Sequence, residues 1–188
     1  MDPYTHIKVI FGLLLGLAIR HLLNGAIKLV QHPGRNQSYW VHLSWTFYMF
    51  LLMIHFWWWE FHLKEITHWY FTEYFFLIIY IIVYYILCAL LYPDDLKDYK
   101  GYRDYFYSRK KWFFGFLGTS YVLDVIDTWI KGTDYLHHYS WEYWTRNISH
   151  FILCLIAMKV NNPRYHSIIA ILFILYEIYY IFHLFITE

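Results

Sequence analysis

Residues 12 to 30 read GLLLGLAIRHLLNGAIKLV. A bilayer crossing takes about 20 predominantly apolar residues, and this run meets that length. Its centre is interrupted by Arg20 and His21, with Asn24 one helical turn further on. A charge in the hydrocarbon core costs about 2.5 to 3.5 kcal/mol on insertion scales, so such residues face protein or water rather than lipid. The stretch therefore predicts a membrane helix in a bundle, with a polar partner buried against it.

The rest of the chain extends that reading. Of 188 residues, 60% are hydrophobic and 25% aromatic, against 15% charged, a composition far from that of a soluble domain. Six windows have the length and apolarity of a span: 8–29, 39–61, 66–91, 112–131, 143–159 and 166–187. The expected fold is an all-α integral membrane protein, a bundle of six transmembrane helices in a single domain, 1–188. Turn-forming clusters such as QHPGRNQS and NNPR separate spans, and the charged segment 93–111 is expected to be a connecting loop. Within it Tyr99, Tyr102 and Phe106 recur at helical spacing, as in a short helix lying in the membrane interface. The first apolar run lacks a small-residue cleavage site and continues past Arg20, so it is expected to stay as a span rather than be removed as a signal peptide. Cys88 and Cys154 fall inside apolar runs, where free cysteine behaves as a small hydrophobe.

Charge sets the expected orientation, because Lys and Arg accumulate on the cytoplasmic side. The segments after spans one, three and five hold ten: Lys28, Arg35, Lys97, Lys100, Arg103, Arg109, Lys110, Lys111, Lys159 and Arg164. The opposite side holds four, Lys8, Lys64, Lys131 and Arg146. Both termini are therefore expected outside, periplasmic or extracellular, with loop 93–111 in the cytoplasm. A net charge of +1 and the lack of zinc-finger, phosphate-loop or dinucleotide patterns argue against nucleic acid as a partner.

Shifting the chain against itself by 104 residues aligns Tyr39-Trp40 with Tyr143-Trp144, His62 with His166 and Glu73 with Glu177, and sets Arg20 opposite Asp124. Three spans fall on three spans. This predicts a 3+3 inverted repeat, with halves 1–92 and 105–188, an arrangement found in secondary transporters.

The transport or gating candidates are the intramembrane polar residues Arg20, His21, Asn24, Glu73, Asp124, Asp127 and Glu177. At about 1.5 Å per residue, Arg20 and Glu177 both come out roughly 15 to 16 Å from the outer end of their spans, which predicts an ion pair. Asp124 and Glu73 both come out near 10 Å, which predicts a pair of acids able to share a proton. His62, His68, His137 and His138 are the metal candidates on the outer side, without tight ligand spacing. His42 and His55 share a helix but stand about 140° apart around it, a poor arrangement for two stacked haems.

Signatures of hydrolases, intramembrane proteases, voltage sensors and potassium filters are missing, so a non-enzymatic role is expected. The leading reading is a proton or small-ion channel or transporter, homo-oligomeric, with a polar belt inside the lipid bilayer. The alternative is a membrane subunit or sensor that docks a cytoplasmic protein at loop 93–111. A haem-binding electron carrier is third. No cofactor is expected for the first two readings, and zinc enters only through the outer histidines.

Overall fold

A computed structural model describes residues 3–32, 34, 37–66, 68–132 and 141–185. Six long helices and no strand occur among them: α1 (Pro3–Gln31), α2 (Trp40–Trp59), α3 (Phe71–Leu91), α4 (Tyr102–Ile130), α5 (Trp141–Lys159) and α6 (Pro163–Phe185), with a 3-10 segment, Glu60–Glu65, continuing α2. Pro3 and Pro163 stand at first helical positions, where the missing N–H is one the helix does not use. Before α6, the Asn162 side chain accepts the Arg164 N–H at 2.9 Å, a helix cap. Before α3, the Tyr70 N–H donates to Glu73 at 3.0 Å.

Three helices are long and apolar enough to cross a membrane: Tyr4–Gln31, Phe71–Leu91 and Pro163–His183. The other three bury polar side chains among apolar ones, such as His42 and His55 of α2, Asp127 of α4 and Arg146 of α5, and expose apolar side chains as well: Phe47 and Ile54 of α2, Val122 and Ile126 of α4, and Ile148 and Ile152 of α5.

The helices pair as α1 along α3, α3 and α5 along α4, and α2 along α6. This does not follow the 104-residue offset, under which α4 would lie on α6 as α1 lies on α3. Residues 102–111, expected in a connecting loop, are the first turns of α4. The aromatic stripe there is buried rather than interfacial: Tyr102 stacks near His42, with ring centroids 4.6 Å apart, and Phe106 meets His166 at 5.4 Å. Burying those rings gains more than laying them in the headgroups, since a bundle wall stands beside them.

The core is built on Trp45, whose ring meets Tyr48, Phe113, Phe114 and Phe173 edge-on at 5.2 to 5.6 Å. At one point α1 and the residue closing α3 meet without room for a side chain. A Cβ on Gly25 would lie 2.1 Å from Cγ of Tyr92.

Candidate functional site

Alternating helix directions bring the end of α2, the end of α4, the start of α5 and the second half of α6 to one end of the bundle. Each contributes charge to the interior there. On α4, Asp124, Asp127 and Lys131 recur three and four residues apart and share a face. On α5, Arg146 and His150 are one turn apart, with Asn147 beside them.

Two groups of charges result. In the first, the Lys131 ammonium donates to Asp127 at 2.5 Å and to Glu60 at 3.1 Å, and lies 5.8 Å from the Trp59 ring centre. All three charged side chains are at most 4% exposed. In the second, Arg146 stands between two acids, its guanidinium 3.6 Å from Asp124 and 3.8 Å from Glu177, with the Tyr180 ring centre 4.6 Å away. Glu177 is also bonded to Nδ1 of His55 at 2.5 Å, and Asp124 accepts from the Asn147 amide at 3.1 Å. Nδ1 of His150 donates to the Arg146 carbonyl at 2.8 Å. Toward the bundle centre the hydroxyls of Tyr48 and Tyr121 are hydrogen-bonded to each other.

A cavity of about 20 Å³ opens among His55, Asp124, Arg146, Tyr84 and Tyr180, room for one water. A larger recess, about 220 Å³, lies between α5 and α6 with Arg146, His150, Ser149 and Thr145 in its wall. Among the described residues the belt counts four acids, Glu60, Asp124, Asp127 and Glu177, against two fixed cations, Lys131 and Arg146. A buried set with an excess of acids reaches neutrality only by holding protons or cations.

Of the residues predicted from sequence, Asp124, Asp127 and Glu177 belong to this belt. Arg20 and Asn24 do not; both are exposed on the outer face of α1. The expected Arg20–Glu177 pair is replaced by Arg146 and His55, because α6 packs on α2 and not on α1. His21 is half-buried and bonds the Tyr92 carbonyl at 3.0 Å. The expected pair of acids, Asp124 and Glu73, does not form: Glu73 caps α3 and Asp124 is taken up by Arg146 and Asn147, while Glu60 and Asp127 are the two acids that share a partner, Lys131. Matching depths fixed one coordinate of each residue and left its direction around the helix open.

As belt residues, sequence reasoning missed His55, Glu60, Lys131, Arg146, Asn147 and His150. Arg146 was counted with the outer charges, although Arg146, His150, Cys154 and Ala157 form one stripe at helical spacing, all buried. That stripe was the available signal. Among the metal candidates, Nδ1 of His62 bonds the Trp59 carbonyl at 3.1 Å and His68 is exposed, while His137 and His138 lie outside the described residues. No three of His, Cys, Asp or Glu converge as metal ligands among the described residues. Of the two histidines considered for haem, Nε2 of His42 bonds the Leu91 carbonyl at 2.7 Å, and His55 joins the belt. No protein-family model matches the chain, and neither a curated protein nor a solved structure does.

Proposed function

We propose that the chain is a small polytopic membrane protein whose six helices all cross the bilayer, and that it passes protons or small ions by way of the buried belt. The observation that carries this reading is the belt's charge: four acids and two fixed cations on four helices, around a water-sized cavity. Packing alone gives little reason for such a set, since replacing a buried ion pair by well-packed apolar residues is often neutral or stabilising. Ionisable residues at membrane depth are rare and costly, and they mark substrate and proton paths. Around the cavity Arg146 faces two acids, Asp124 and Glu177, and the His55 imidazole is bonded to Glu177 beside them. The Tyr48–Tyr121 pair and the rings around Trp45 close the far side, which fits a path occluded from that side in this conformation.

Flux in liposomes tests it. The wild type is expected to pass protons or a small cation at a pH-dependent rate. Glu177→Gln, which keeps the side-chain volume, is expected to slow it about tenfold or more, equivalent to about 1.4 kcal/mol on the barrier. A wild type without flux of protons or alkali cations sinks the reading.

The orientation belongs to the same proposal: both termini outside and 93–111 in the cytoplasm, from the Lys and Arg distribution. An impermeant thiol reagent added outside should label Asp2→Cys and spare Asp98→Cys. One observation favours homo-oligomers. Arg20 is exposed among Leu13, Leu17 and Leu23 on the outer face of α1, and in a bilayer a second subunit there would meet its charge. Docking of a cytoplasmic protein remains the second reading, supported by the exposed Lys97, Lys100, Arg103, Arg109 and Lys111.

A further inference from the structure

The group at the mouth of the belt is unbalanced by one charge. Lys131 is shared by two carboxyls, Glu60 and Asp127, and each of the three side chains is at most 4% exposed. Lys131 engages Oε1 of Glu60 and Oδ2 of Asp127. The other oxygens, Oε2 of Glu60 and Oδ1 of Asp127, are buried without a hydrogen-bond partner. A buried acceptor without a donor is unsatisfied, and two carboxylates gathered on one ammonium repel one another.

Nothing else described supplies the missing charge. Asp124, one turn back on α4, adds a further acid and is already taken up by Arg146 and Asn147 of α5. On α2, His55 is bonded to Glu177. From α3 the nearby titratable group is Tyr80, whose hydroxyl bonds that of Tyr84. From α1, Lys8 borders the recess beside Glu60, but it is exposed and holds its ammonium over the Tyr4 ring, 5.2 Å from the centre.

We propose that Glu60 and Asp127 hold one proton between them, so that with Lys131 they form a neutral proton-storage site at the outer end of the belt. One proton makes the trio neutral and turns one of the two bare acceptors into a donor. A metal cation would have to sit beside the Lys131 ammonium, so a proton is the better fit. The proposal rests on the proton-path reading only for the use made of that proton; the bound proton itself is measurable without transport.

Infrared spectroscopy of the full chain in lipid nanodiscs is the test. At neutral pH the wild type is expected to show a protonated-carboxyl C=O band that shifts in D₂O. Glu60→Gln and Asp127→Asn are each expected to abolish it, because one acid with one lysine needs no proton, while Glu73→Gln leaves it unchanged. Glu60→Asp and Asp127→Glu keep both acids and are each expected to move the band, which decides the matter if an amide variant does not fold. A wild type without the band, a band surviving both amide variants, or a band unmoved by both acid swaps overturns the proposal. Stabilisation by sodium chloride together with a missing band assigns the site to a cation and overturns it as well. The band without liposome flux upholds the bound proton and removes the transport reading; flux without the band does the reverse.

Discussion

The two ends of the bundle use the same residue types for different purposes. At the end where α4 and α6 begin, each buried cationic or imidazole group bonds a backbone carbonyl. His42 bonds that of Leu91 at 2.7 Å, and His166 that of Val160 at 2.9 Å. The Lys110 ammonium donates to Ala157, Met158 and Val160 at 2.7 to 3.2 Å, closing the C-terminus of α5. At the other end Lys131, Arg146 and His55 meet carboxyl side chains instead. A carbonyl cannot take or lose a proton in the working range, whereas a carboxyl can. The first end is therefore fastened and the second can change its charge, and a buried lysine or histidine by itself says nothing of which it is.

Arg146 offers the strongest way to break the comparison. Arg146→Leu removes the cation that stands between Asp124 and Glu177, and should cost about 3 to 5 kcal/mol in denaturation of the detergent-solubilised protein. The further change Glu177→Leu should recover part of that loss. Simple addition of the two losses would mean that they do not act as a pair.

A smaller effect is expected at the fastened end. Lys110→Met removes three bonds from one ammonium and should cost about 1.5 to 3 kcal/mol. It should leave the pH dependence of liposome flux where it was. A shifted pH profile would show that the two ends are coupled and would undo the distinction.

Next comes Gly25→Ala, which tests whether the fastened end is held by shape as well as by hydrogen bonds. The new methyl would fall on the Tyr92 ring, and overpacking of this kind costs about 1 to 3 kcal/mol. Thermal melting reads it directly, and an unchanged melting temperature would show that Tyr92 moves aside freely. The least effect belongs to the other arginine: Arg20→Leu should change stability in detergent by less than about 0.5 kcal/mol, since Arg20 is exposed and bonds no side chain among the described residues. A loss approaching that of Arg146→Leu would contradict the placement of Arg20 on the outer face.

The contrast between Arg20 and Arg146 also measures how far the sequence could be read. Arg20 stands out because it interrupts an unbroken apolar run, whereas Arg146 falls among the charges of the outer side, near the start of its span. Local contrast rewarded the residue on the outside of the bundle. The burial pattern of α5 reverses that judgement, since Arg146, His150, Cys154 and Ala157 share its inward stripe. Asp124, Asp127 and Lys131 were readable as one face of α4 from their spacing, but Glu60, the acid that completes their group, comes from the 3-10 segment after α2.

What the sequence by itself determined is the helical character of the chain and the placing of the helices, five of them close to the spans read from apolar length and turn clusters, because hydrophobicity and turn propensity act over a few neighbouring residues. The fourth began ten residues early, at Tyr102, as its first turns are charged on one side and buried on the other. Which helix lies against which, and so which charges meet, only the tertiary structure decided. Depth along a helix follows from counting at a constant rise, but the direction a side chain faces is set by how the ridges of one helix fit the grooves of another. That fit joins α2 to α6 and α4 to α5 and leaves α1 on α3, so Glu177 meets His55 and Arg146 while Arg20, at the matching depth, faces out.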